Sequence, residues 1–318
     1  MLYSTVIGSL PRLSDDLSSS IALAVDLQLR YGIDVISDGE QRTDMIGYFS
    51  DLPGISISQG DGGPYIAGRV RPPRDPSETF KMRDLKIALN RLRGRGFKVE
   101  GLKLSVTGPV TLAFTCAAKA IKTDAYRGIG DPSLYLDVAE ALNPIILEAL
   151  ACGALVQVDE PGISAGYLNP RLAVEAVNMA LKDVGDDRDS LEKLSLHVCG
   201  DLTGIPDLLF RLLNVKVGCL SLAFAGRVEK ANRMLPLAMM GEGGRLLGVG
   251  CVSVGAGEPD MVETVGEAAR IVHLVSSGIG LEKIRYIHPD CGLRSTPLKV
   301  AERILDITAK TAKTVRGD

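Results

Sequence analysis

His197-Val198-Cys199 is the most chemically specific tripeptide of the chain. Alternate residues of a strand point to one face, so an imidazole and a thiolate two residues apart can reach the same ion, and zinc accepts both. Alone, the pair is more often a structural His beside a buried Cys. Cys291, in His288-Pro289-Asp290-Cys291-Gly292, adds a third N/S donor at the end of another apolar run. Three such ligands with one position open describe a catalytic zinc site. His288 stands beside Pro289, where the chain leaves its strand, and reads as structural, while His273 in AARIVHLVSS reads as a helix-face residue. Cys116 and Cys152 fall in helical stretches and read as small core residues; Cys219 opens a strand rather than ending one.

Bringing these residues together requires a scaffold that gathers strand ends. Eight short apolar runs recur: Thr5–Ser9, Val35–Glu40, Leu102–Pro109, Leu155–Glu160, Leu194–Gly200, Cys219–Ala223, Leu246–Ser253 and Ile284–Gly292. Their near-continuous hydrophobicity predicts strands buried on both faces, as in parallel sheets. Between them, helical spacing covers Ile21–Tyr31, Phe80–Arg93, Leu134–Cys152, Leu172–Val184, Met261–Ser277 and Leu298–Val315. Right-handed crossovers repeated eight times close into an α/β fold of the (β/α)8 TIM-barrel type, a single domain over residues 1–318. Gly- and Pro-rich Ser50–Glu78 reads as an insertion after strand 2, a lid or a small hairpin. Gly241–Arg245 (GEGGR) precedes a strand and reads as a turn, and no phosphate-binding glycine loop is present.

Barrel enzymes work at the C-terminal ends of their strands. There the runs place Ser9, Asp38, Glu40, Thr107, Asp159 and Glu160 alongside His197, Cys199 and Cys291. Without further context, Asp38-Gly39-Glu40 is equally a turn with solvated acids, and Asp159-Glu160-Pro161 a strand exit. Arg42 and Asp44 read as an ion pair supporting the adjoining loop.

Composition narrows the chemistry. The 318 residues carry a formal net charge of -3 with no basic stripe, so no nucleic-acid partner is expected. No stretch reaches the roughly 18 apolar residues of a spanning helix, and MLYSTVIGSLPR shows no signal-peptide pattern, which predicts a cytoplasmic protein without a membrane partner. Six scattered cysteines fit thiols or ligands better than a disulfide framework. Trp is absent and aromatics are only 4%, which argues against stacking of bases or sugars.

Taken together, Val6-Ile7-Gly8-Ser9, Ser37-Asp38-Gly39-Glu40-Gln41-Arg42 with Asp44-Met45, Thr107-Gly108-Pro109-Val110-Thr111, Asp159-Glu160-Pro161, His197-Val198-Cys199-Gly200 and Pro289-Asp290-Cys291-Gly292-Leu293 resemble the cobalamin-independent methionine synthase family, in its short archaeal-type, single-barrel form. The resemblance spans nearly the whole chain. It implies a zinc-dependent methyltransferase that methylates the thiol of homocysteine to give methionine. Zn2+ would be held by His197, Cys199 and Cys291, with Ser9 at the substrate carboxylate and Glu40 and Asp159 at its ammonium. The family's further Glu ligand aligns with Ala223 in Leu222-Ala223-Phe224-Ala225, which cannot ligate a metal. Strand 7 carries Cys251-Val252-Ser253 where longer members have a His. Short relatives imply a methylated corrinoid donor, methylcobalamin or a methylated corrinoid protein, rather than folate.

Two other functions stay open on the residues. One is a zinc barrel methyltransferase for another thiol of the coenzyme M type, against which the acids Glu40 and Asp159 argue because coenzyme M has no ammonium. The other is a catalytically impaired barrel that binds a donor or partner, as Ala223 would allow.

Overall fold

The computed structural model describes residues 1–58, 62–95, 99–242 and 244–318. Residues 59–61 of the expected insertion and Gly243 of the expected GEGGR turn lie outside them. The strands are β1 (Tyr3–Ser4), β2 (Val35–Ser37), β3 (Ile55–Ile57), β4 (Pro64–Ile66), β5 (Gly101–Thr107), β6 (Leu155–Asp159), β7 (Leu194–Val198), β8 (Cys219–Ala223), β9 (Leu246–Val252) and β10 (Ile284–Pro289). Eight of them form one parallel sheet in the order β1-β10-β9-β8-β7-β6-β5-β2. A parallel bridge between Thr5 and Val35 joins its two edges, closing the TIM barrel expected from the alternation. The insertion after β2 contains the antiparallel hairpin β3-β4.

The long helices are Leu17–Tyr31, Phe80–Arg95, Pro109–Lys119, Pro132–Ala151, Pro170–Ala180, Val265–Ser276 and Leu298–Arg316. Their starts are written locally. Asp16 accepts from the Ser19 amide, Asp131 from Ser133, and Thr264 with Glu267 forms a reciprocal capping box. Pro109 and Pro132 open their helices, where a missing N–H costs nothing. Pro109–Lys119 is absent from the helices expected from spacing. The last helical run before β10 begins at Val265 rather than Met261, because its cap is Thr264.

The strands alternate more strictly than their hydrophobicity suggests. Leu104, Val106, Val156, Val158, Leu196, Val198, Leu220, Leu222 and Val249 face outward into the layer beneath the helices, all at most 1% exposed. Lys103, Ser105, Gln157, Asp159, His197 and Ser221 face the barrel axis, where they bond to one another or to the backbone crossing it. On β9 the inward positions are Gly248 and Gly250. A Cβ at Gly248 would approach His288 Nε2 to 2.9 Å, and one at Gly250 would approach Asp290 Oδ1 to 2.6 Å, so the glycines make room for side chains at and just past the end of β10.

The first strand is shorter and earlier than Thr5–Ser9. The carbonyls of Val6, Ile7 and Gly8 leave the ladder because side chains claim them: Lys103 Nζ donates to Val6, Ser105 Oγ and Gln157 Nε2 donate to Ile7, and Ser37 Oγ donates to Gly8. Polar groups inside the barrel thereby satisfy a backbone segment that crosses its mouth.

Candidate active site

β7 and β10 deliver the three donors. Ligand atoms of His197, Cys199 and Cys291 lie within 4.8 Å of one another, and no fourth His, Cys, Asp or Glu joins them among the described residues. His197 is fixed by its far nitrogen: Nδ1 lies 3.0 Å from Ser221 Oγ and 3.1 Å from the Ser221 carbonyl. Ser221 Oγ lies 2.9 Å from His288 Nε2, and the other His288 nitrogen meets the Pro289 carbonyl. Burial, then the neighbouring His197, pushes His288 down to about 3, so it is neutral and supports the site from below. His197 Nε2, by contrast, is buried with no hydrogen-bond partner among the described residues.

The thiols titrate as a pair. Cys291 is held well below the ordinary thiol range, first by the Cys199 thiol donating to it and then, against burial, by His197, while Cys199 is raised by that same contact. An imidazole nitrogen and two cysteine sulfurs converging on one point form a donor set suited to zinc. Ala223 lies two residues beyond inward-facing Ser221, and so on the inner face at the level of this cluster. Its methyl group adds no ligand.

Loops are tied around the cluster by side chains. Asn232 Nδ2 donates to the Gly200 and Ala223 carbonyls while its Oδ1 accepts from the Leu202 amide, linking the turn after Cys199 to the end of β8. Ser164 Oγ donates to the Cys199 carbonyl. Asp290 accepts from the amides of Phe224, Ala225 and Gly226. Burial pushes it up to about 7 against those bonds. Glu160 turns away from the cavity and caps the Pro109 helix through Val110 and Thr111; burial raises it to about 7.

Of the four acids expected at the mouth, Glu40 and Asp159 line the same cavity, about 200 Å³, with Ser9, His197, Cys199 and Cys291 among others, while Asp38 and Glu160 do not. Glu40 has φ +49°, a left-handed backbone set up by Gly39 at +74°. Lys81 Nζ meets its Oε1 at 2.5 Å and lies 4.0 Å from the Tyr48 ring centroid. Asp38 accepts from the Glu40 amide through Oδ1, and its Oδ2 has no partner among the described residues. Asp159 Oδ1 accepts from Gln157 Nε2 at 2.6 Å, and Lys103 Nζ donates to Gln157 Oε1 at 2.6 Å. Burial, then Glu40, raises Asp159 well above a normal carboxylate. The supposed Arg42–Asp44 pair does not form. Arg42 instead meets Asp84 of the Phe80 helix, and Asp44 accepts from the Ile46 and Gly47 amides of its own turn.

A larger groove, about 680 Å³, lies at the opposite end of the barrel among Arg188, Glu192, Arg245 and Lys283, and holds none of this chemistry. Sequence reasoning missed Lys81, Lys103, Gln157 and Arg294. Lys103 and Gln157 carry a signal, a polar residue between two apolar ones in a buried strand; Lys81 and Arg294 carry none, since their partners are remote in sequence.

The chain is similar to known proteins in sequence and in fold. Residues 5–314 match the family model described as cobalamin-independent synthase, catalytic domain. A methionine synthase of Methanothermobacter marburgensis is 32% identical, covering 94% of this chain and 96% of its own length; one from Methanocaldococcus jannaschii is 27% identical over 96% and 91%. In fold, the chain is similar to a B12-independent methionine synthase from Shewanella sp. W3-18-1 in complex with selenomethionine, with TM-score 0.76, 19% identity, and coverage of 100% and 98%. With four-fifths and more of every such chain covered, the protein belongs to the catalytic-domain family of the cobalamin-independent methionine synthases, a family of methyltransferases.

Proposed function

We propose that the chain transfers a methyl group to the thiol of homocysteine, forming methionine, with zinc at His197, Cys199 and Cys291 and a methylated corrinoid as donor. The observation that carries this is the orphaned His197 Nε2 beside the Cys199–Cys291 pair, in one cavity with the acids Glu40 and Asp159. A zinc ion held there would supply the Lewis acidity that keeps a substrate thiol in its thiolate form at neutral pH. The chain's own residues do the rest. Ser221 holds the imidazole in register, Asn232 and Ser164 hold the Cys199 loop, and Glu40 and Asp159 receive the substrate ammonium, with Ser9 at the carboxylate.

The homocysteine sulfur forms its bond to the methyl carbon as the bond from that carbon to the donor breaks. The donor keeps the electron pair, and the thiol proton has already gone to solvent. The cavity is below the roughly 300–1,000 Å³ of drug-sized ligands, which suits an amino acid and leaves the larger donor at the mouth. The end of β9 offers Ser253 and no imidazole, which supports a donor that needs no proton there.

Protein purified without chelator should contain close to one zinc per chain by elemental analysis, and with methylcobalamin and homocysteine it should yield methionine by mass spectrometry. Absence of zinc after reconstitution, with ligand bound but never turned over, would instead support an impaired binding barrel. Preferential methylation of coenzyme M in competition would reassign the substrate.

A further inference from the structure

Arg294 has no assigned role, yet it lines the cavity with Cys291 and Glu40. It is the sole cation among the lining residues, facing the carboxylates of Glu40, Asp44 and Asp159. It pairs with none of them. Its Nη1 donates to the Glu40 backbone carbonyl at 2.8 Å, and its other N–H groups have no partner among the described residues. A half-buried guanidinium carries a fork of donors shaped for a carboxylate, so unused donors beside a cavity invite one from a ligand.

The loop that bears it is fixed on the same wall as Ser9. The Leu293 amide donates to the Ser9 carbonyl at 2.8 Å, and a Cβ at Gly292 would come within 2.3 Å of Ser9 Oγ, so a larger residue there would push that hydroxyl aside. The Ser9 hydroxyl likewise makes no bond within the described chain. On the other side, Lys81 occupies Glu40 Oε1, while Oε2 lies toward Gly8. In an α-amino acid the ammonium and carboxylate sit on one carbon, so their partners must be neighbours. Arg294 is anchored to the backbone of the very residue whose side chain would take the ammonium.

We propose that Arg294 binds the α-carboxylate of the substrate and sets the preference for an amino acid over a thiol amine lacking that group; the inference rests on the homocysteine reading above. The test compares L-homocysteine with 3-aminopropane-1-thiol, which keeps thiol and amine but has no carboxylate, by calorimetric binding to the zinc-loaded protein. Wild type should prefer homocysteine. Arg294→Met should weaken homocysteine by roughly 10–100-fold, the value of charge-assisted hydrogen bonds to a carboxylate, and leave the amine nearly unchanged. Arg294→Lys keeps the cation without the planar fork and should fall between the two, which preserves the test if the Met variant folds poorly. Equal losses for both ligands would show that Arg294 only supports the Glu40 loop, and an unchanged homocysteine affinity would remove it from the site. Wild type that binds neither ligand would defeat the homocysteine reading itself, and this inference with it.

Discussion

Replacing Lys81 with Met tests whether Glu40 is held by a buried ion pair. The side chains are 1% and 8% exposed, and Nζ meets Oε1 at 2.5 Å. Met fills much of the lysine stem's volume against Tyr48 and Phe49, so the change removes charge more than packing. Glu40 would then lie buried beside Asp38, whose Oδ2 already lacks a partner, and near Asp84. Breaking a buried pair by removing one member costs about 3–5 kcal/mol, because the other charge is left uncompensated. At about 2.1 cal/mol/K of unfolding entropy per residue, a 318-residue chain has roughly 0.7 kcal/mol/K at its midpoint, so Tm should fall by about 4–7 °C. Calorimetry of the metal-free protein at pH 7.5 reads this directly. Adding Glu40→Gln to the Met variant removes the orphaned charge and should recover most of the loss. A fall under about 2 °C, or a double variant no more stable than Lys81→Met, would refute the argument and place water within reach of Glu40.

Three further perturbations separate metal, substrate and proton. Ala223→Glu points a carboxylate from the inner face of β8 toward the cluster and should tighten zinc about tenfold or more in competition with a chromogenic chelator; unchanged affinity would mean that the side chain faces elsewhere. Asp159→Asn keeps the bond from Gln157 but replaces the ionisable carboxyl with a neutral amide, and should weaken homocysteine by roughly tenfold with zinc content intact; an unaltered affinity would take Asp159 out of the ammonium's contacts. Asp38 is fully buried, and burial raises its carboxyl from 3.8 to about 6. The folded state thus keeps the proton to higher pH than the unfolded chain, and the associated stability, full below pH 4, is lost as pH rises through 6. Asp38→Asn retains the bond from the Glu40 amide and should flatten Tm against pH between about 4 and 6, with a gain of up to about 3 kcal/mol above it. Parallel wild-type and variant profiles would exclude Asp38 as the titrating group.

What could be read from the sequence, and what could not, divides along the range of the interactions. The βα alternation, the caps and the strand-end donors are local, and His197, Cys199 and Cys291 meet because a closed parallel barrel brings all strand ends to one rim. The strands were legible as strands, but their apolar runs concealed a period of two. In GLKLSVT and LVQVD, Leu104, Val106, Val156 and Val158 face the helices, and Lys103, Ser105, Gln157 and Asp159 line an unusually polar axis. That axis explains why the first strand ends at Ser4 and its pairing at the Thr5 bridge: once Lys103, Ser105, Gln157 and Ser37 take the carbonyls of residues 6–8, no ladder is left to continue. No local pattern encodes this, since each bond joins residues 29 or more apart, and Lys81 and Arg294 reach Glu40 across separations of 41 and 254. Glu40 therefore depends on three distant elements at once. Its left-handed backbone comes from Asp38-Gly39, its charge is matched from the Phe80 helix, and its carbonyl is held from the loop after β10. A carboxylate fixed from three directions before substrate arrives loses little freedom on binding, which is the condition for discriminating one small amino acid from another.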